Sequence, residues 1–154
     1  MRALLIAVAG ATAASLLGFA TASAAPPVTT SIQLHPTTFA PVEAGTWQAT
    51  GGIDDSGTFT RTDVHNTGSL PDCFCPPEHT GAFSETFLLT GADGTLTVRA
   101  EELFTAGGDP FGNVNGVWQI VSGTGAYARA SGHGTDYFGP PLTLYLTGEV
   151  SKVE

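Results

Sequence analysis

Side chains that can do acid–base chemistry recur at every second position in the segment 58–65. This segment reads Thr-Phe-Thr-Arg-Thr-Asp-Val-His, and strict alternation puts Arg61, Asp63 and His65 on one face of a strand. The ring of Phe59 lies on the same face. If that face points inward, a carboxyl group beside a guanidinium and an apolar wall can give or take a proton. If it points outward, the charged pair is exposed and contributes little to stability.

A second acidic candidate is Glu102, which follows an apolar alternation. Leu96, Val98 and Ala100 precede it at every second position, so Glu102 is expected on the face that enters the core. Arg61, Asp63 and Glu102 are therefore the candidate catalytic residues, and an exposed charge pair is the alternative interpretation for Arg61 and Asp63.

Other catalytic chemistries find no support in the sequence. The chain contains no Gly-x-Ser-x-Gly elbow and no H-E-x-x-H pair, so neither a hydrolase of that type nor a catalytic metal is predicted. Cys73 and Cys75 are separated only by Phe74, and a local or intermolecular disulfide is the first expectation for an exported chain. A metal site that adds His79 is the alternative, but the C-x-C-x3-H spacing is not that of structural zinc sites. No cofactor is predicted.

The amino terminus has the features of an export signal. Arg2 supplies a positive charge, an apolar run rich in alanine follows, and Ala22-Ser23-Ala24 matches the small-x-small cleavage site. We expect residues 1–24 to be removed and residues 25–154 to form one secreted domain. No later run is long enough to span a bilayer as a helix, so no membrane association is expected after cleavage.

The charge balance limits the partners. The chain has 5 Lys and Arg residues against 14 Asp and Glu residues, a formal net charge of −9. A polyanion would be repelled by such a protein, so nucleic acid is an improbable partner by elementary electrostatics.

Short strands separated by turn residues occupy the rest of the chain. Gly, Pro, Asn or Asp interrupts it about every eight to twelve residues, which is typical of an all-β sandwich or barrel. The clearest hairpin signal is Gly91-Ala92-Asp93-Gly94 between two apolar runs. About eight strands result, and closure of the first on the last would remove exposed sheet edges. We predict a closed antiparallel barrel of about eight strands, with a two-sheet sandwich as the alternative.

The most distinctive motif follows the strand around Trp118. It is Gly123-Thr124-Gly125, then Tyr127, then Gly132. The glycines are suited to a turn with positive φ, and the tyrosine ring can close the end of a core. The pattern resembles that of the barrel family of allene oxide cyclases and dirigent proteins, in particular its small exported bacterial members. The resemblance covers residues 118–134 and implies an eight-stranded barrel with an apolar cavity, often in a homo-oligomer. It assigns no catalytic residue.

Three classes of function fit these observations. The first is a non-catalytic barrel that binds a small hydrophobic molecule, and its predicted wall is Phe59, Phe87, Trp118, Tyr127 and Leu144. The second is a dirigent- or cyclase-like protein that steers a reactive intermediate. The third is a solid structural barrel with a protein partner. A cavity would favour the first two, and an inward carboxylate or arginine would then favour the second over the first.

Overall fold

Antiparallel strands make up nearly all of the structure, a computed structural model that describes residues 25–66, 81–105 and 113–152. They are β1 (Val28–Thr38), β2 (Ala44–Gly51), β3 (Asp55–Asn66), β4 (Gly81–Gly91), β5 (Thr95–Thr105), β6 (Asn113–Gly123), β7 (Ser131–Gly139) and β8 (Thr143–Ser151). Each strand pairs with its sequence neighbours, and β1 also pairs with β8. The predicted closed eight-stranded barrel is thus confirmed, and the sandwich alternative is excluded. None of the described helical segments could cross a membrane.

The alternation of side chains explains why these segments form a barrel with one apolar interior. In β5, every second residue from Leu96 to Phe104 is buried while the residues between them are partly or fully exposed. The predicted hairpin between β4 and β5 is confirmed, because the Gly91 N–H donates to the Gly94 carbonyl at 2.9 Å.

The barrel has two different ends. The turns at 51–55, 91–95 and 123–131 meet at one end, which we call the packed end. The segments 38–44 and 139–143 lie at the other end, which we call the cavity end. The two limits of the described chain meet at the packed end, where the Ala25 N–H donates to the Lys152 carbonyl at 3.1 Å.

Large apolar side chains fill the barrel from the packed end to about its middle. All side chains of this core are almost completely buried. The core consists of Ile32, Leu34, Trp47, Ala49, Ile53, Phe59, Phe87, Leu89, Leu96, Val98, Ala100, Trp118, Tyr127, Leu144, Leu146 and Val150. Both indole N–H groups remain satisfied, because Trp47 donates to the Thr90 carbonyl and Trp118 to the Thr147 carbonyl. Burial of so much apolar surface is the main source of stability.

The Gly-Thr-Gly motif closes the packed end. Gly125 has a φ of +60°, as predicted, and it begins a short 3₁₀ turn that ends at the buried ring of Tyr127. Gly123 does not have a positive φ. It is required for a different reason, because a Cβ there would lie 2.3 Å from the Tyr127 carbonyl oxygen.

Asp55 ties three segments together at the packed end. Its carboxylate accepts hydrogen bonds from the Tyr127 hydroxyl at 2.9 Å and from the N–H groups of Ser56, Ala92 and Asp93. Partial burial raises the pKa of Asp55, but these four hydrogen bonds outweigh it and hold the pKa below its ordinary value. The ionised carboxylate is therefore the form that stabilises this end.

We expect Asp55→Ala to lower the free energy of unfolding at pH 7 by about 1–2 kcal/mol, since the substitution removes charge-assisted hydrogen bonds from three segments. A lowered native pKa gives stability above the unfolded pKa that is lost as the pH falls through the native value. The difference from the wild type should therefore shrink below about pH 4 in urea titrations. Asp54→Ala, at the exposed neighbouring position, is the control. Equal losses for the two variants would contradict the role of Asp55.

Candidate functional site

A cavity of about 290 Å³ lies at the cavity end of the barrel. Its wall combines apolar and ionisable side chains. The apolar ones are Phe39, Phe83, Val114, Phe138, Leu142 and Leu144, and the ionisable ones are Glu43, Arg61, Glu85 and Glu102. This composition is that of a small-molecule site, in which an apolar surface surrounds a few convergent polar groups.

The strands bring the ionisable groups inward by simple alternation. Glu85 lies on the inner face of β4 between Phe83 and Phe87, and Glu102 lies on the inner face of β5. Asp136 is the corresponding buried residue of β7. Gly116 of β6 pairs with both Glu102 and Asp136, so no side chain separates these two acids on the intervening strand.

Arg61 is bonded to two of the acids. Its Nη1 lies 2.9 Å from Glu43 Oε2 and 2.5 Å from Glu85 Oε1. The Arg61 N–H also donates to the Glu43 carbonyl at 2.8 Å, which fixes the segment before β2 against β3. One guanidinium therefore compensates two carboxylates that are themselves nearly buried.

Glu102 and Asp136 have no such compensation. Their side chains are only 3% and 4% exposed. Among the described residues, no hydrogen-bond partner reaches Glu102 Oε2 or either carboxylate oxygen of Asp136. A buried polar atom without a partner costs free energy, and a buried unpaired charge costs considerably more.

Burial and mutual repulsion keep protons on this cluster near neutral pH. Burial, with the charges of Glu85, Asp136 and Glu43, raises the pKa of Glu102 to about 9 despite Arg61. Burial and Glu85 raise the pKa of Asp136 to about 7. Burial and Glu85 likewise raise that of Glu43 to about 7, although Arg61 lowers it.

Glu85 is the acid most closely held by Arg61. Burial raises its pKa above the ordinary value, although the charge and hydrogen bond of Arg61 oppose this effect. The cavity thus presents a neutral carboxylic acid, Glu102, and a carboxyl group paired with arginine, Glu85. Such a pair can supply both a proton donor and a proton acceptor.

Two of the three predicted catalytic candidates lie at this cavity. Arg61 and Glu102 line its wall. Asp63 is exposed on the outside, as is His65. The reason is a register shift between Arg61 and Asp63, which makes Asp63 pair with Thr86, a neighbour of the inward Glu85. One extra residue inverts the faces of a strand, so the predicted shared face ends at Arg61.

Most of the predicted ligand wall belongs to the core instead. Leu144 lines the cavity, whereas Phe59, Phe87, Trp118 and Tyr127 are almost fully buried in the packed part of the barrel. Cys73 and Cys75, for which a disulfide was predicted, lie outside the described residues.

Three acids of the site were not predicted from the sequence. Glu85 could have been found, because Phe83, Phe87 and Leu89 alternate with it on one face. Asp136 follows glycine-rich sequence with weak alternation, and Glu43 lies outside a strand, so neither has a comparable periodic pattern.

Within the described part of the chain, no three His, Cys, Asp or Glu side chains are placed to hold a metal ion together. Comparison with known protein families, with curated proteins and with solved structures found no match. The resemblance to allene oxide cyclase and dirigent barrels, the export of the chain and its assembly into a homo-oligomer therefore stay predictions.

Proposed function

We propose that this protein binds a small, mainly apolar molecule in the cavity, with a polar group of that molecule against Glu102. The observation that carries the proposal is a buried acid on the wall of a mostly apolar cavity, one oxygen of which has no hydrogen-bond partner among the described residues. A barrel with a purely structural role gains nothing from this arrangement, since an apolar side chain at position 102 would pack without a desolvation cost. A bound molecule that pairs with Glu102 would offset that cost.

Filling the cavity should weaken binding. We expect Val114→Trp to weaken the affinity for N-phenyl-1-naphthylamine, a dye that is uncharged at neutral pH, by at least about tenfold, because the indole would occupy the cavity. Val117→Trp is the matched control, since Val117 lies on the same strand but is 54% exposed on the outside. Fluorescence titration measures both. Absence of saturable binding to the wild type would contradict the proposed function.

A second candidate function is proton-transfer catalysis on the bound molecule, as in an isomerase or a cyclase. It is favoured by the neutral Glu102 and the arginine-paired Glu85 on one cavity wall, which could act as acid and base. In this case, Glu102→Gln would abolish turnover while dye binding remained.

A further inference from the structure

We propose that the molecule bound in the cavity is a hydrophobic primary amine, whose ammonium group pairs with Glu102 while its apolar part contacts the surrounding phenylalanine and leucine side chains. This inference rests on the proposed binding function and adds the chemical class of the ligand to it.

The acids inside the barrel outnumber the cations among the described residues. Four acids, Glu43, Glu85, Glu102 and Asp136, lie close enough there to raise one another's pKa values, and among the described residues the charge of Arg61 acts on the three glutamates. Its guanidinium is occupied by Glu43 and Glu85. In the described part of the chain, Glu102 and Asp136 are therefore left without a cationic partner.

The chemistry of the unpartnered atoms points to a donor rather than an acceptor. Glu102 Oε2 and both oxygens of Asp136 are buried and have no hydrogen-bond partner among the described residues, and they are pure acceptors once the carboxyl groups ionise. An ammonium group has three donors and no acceptor, and it carries the charge that lets a buried carboxyl ionise. An anionic ligand would be repelled by the same acids and by the net charge of −9.

The pairing of the ammonium group with Glu102 determines which proton is released on binding. The amine enters as R–NH3⁺, the Glu102 carboxylic acid releases its proton to solvent, and the complex holds an ammonium and a carboxylate. Because Glu102 is largely protonated in the free protein, binding at pH 7 should release about one proton. Affinity should rise from pH 5.5 to pH 8, since deprotonation of the acid becomes easier.

Matched pairs of ligands test the proposal by calorimetry. The probes are n-hexylamine with 1-hexanol, and 2-phenylethylamine with 2-phenylethanol, each titrated at pH 7 in phosphate and in Tris. We expect each amine to bind at least about tenfold more tightly than its alcohol. The difference in heat between the two buffers should report the released proton.

Two variants test whether the preference for amines and the proton release arise at Glu102. Glu102→Gln should abolish the preference for amines and the proton release, so that each amine binds the variant no more tightly than its alcohol does. Glu101→Gln, on the adjacent exposed position, should behave as the wild type. Alcohols that bind as tightly as amines, or an amine preference that persists in Glu102→Gln, would overturn the inference and leave the binding function standing. If neither member of either pair binds, the proposed function fails as well.

Discussion

Glu102→Gln is expected to raise the free energy of unfolding by about 2 kcal/mol or more at pH 8, and to change it little at pH 5. The carboxyl group is buried and lacks a hydrogen-bond partner on Oε2 among the described residues, so the native protein must keep it protonated. Glutamine has nearly the same shape and never ionises. The substitution therefore removes an electrostatic cost without opening a cavity.

The pH window follows from the two pKa values of the carboxyl group. Its ordinary pKa is 4.5, and burial together with Glu85, Asp136 and Glu43 raises it to about 9 in the native state. Between these values the native state holds a proton that the unfolded state has lost, so the wild type loses stability as the pH rises. Glutamine at position 102 removes this contribution, and the two proteins should diverge steadily above pH 5.

Urea unfolding at pH 5, 6, 7 and 8 measures the effect, with Glu101→Gln as the control. Because the Glu101 side chain is exposed, its ionisation carries no comparable desolvation cost. The free energy of unfolding of Glu101→Gln should therefore equal that of the wild type at every pH. A Glu102→Gln protein that is less stable than the wild type at pH 8 would show that Glu102 makes a stabilising interaction in the free barrel. Glu102→Gln is thus expected to gain stability while it loses the preference for amines. Such a trade-off between stability and function is typical of functional sites.

Gly125→Val is expected to lower the free energy of unfolding by about 3 kcal/mol or more. The backbone at position 125 has a φ of +60°, which β-branched residues tolerate worst. A Cβ at this position would also lie 2.3 Å from the Asp93 carbonyl oxygen, and that atom belongs to the neighbouring turn. Conformational strain and a backbone clash therefore act together on the closure of the packed end.

Thermal unfolding followed by circular dichroism measures this loss, and Gly139→Val provides the control. Gly139 lies at the end of β7, and the atoms nearest to a Cβ there would be side-chain atoms of Tyr137 and Tyr145, at 3.1 to 3.8 Å. Its substitution should cost much less. Equal losses at the two positions would mean that the Gly-Thr-Gly turn has no special conformational requirement.

The architecture could be predicted from the sequence because each strand carries its own periodic pattern and each tight link its own glycines. The alternation from Leu96 to Phe104 and the turn Gly91–Gly94 are local properties, and both are present in the structure. Closure of the sheet into a barrel could be predicted from eight such strands, since a closed sheet leaves no unpaired edge.

The site was less predictable because it depends on register and on distance between strands. The register shift after Arg61 places Asp63 on the outside of the barrel. A strictly alternating sequence gives no sign of the extra residue that causes this shift. The division of the barrel interior into a packed core and a cavity also depends on contacts between strands that are distant in sequence. Phe59 and Phe87 pack edge to face in the core, whereas Phe83 lines the cavity, although all three follow the same alternation on their strands.

The meeting of residues 25 and 152 at the packed end has a practical consequence. Both chain limits of the described barrel lie at the opposite end from the cavity, joined by one backbone hydrogen bond. A tag, a fluorescent reporter or a surface linker joined at residue 25 or at residue 152 therefore begins at the end of the barrel that lies opposite the cavity. A barrel immobilised through either of these two residues is held by its packed end during a binding measurement.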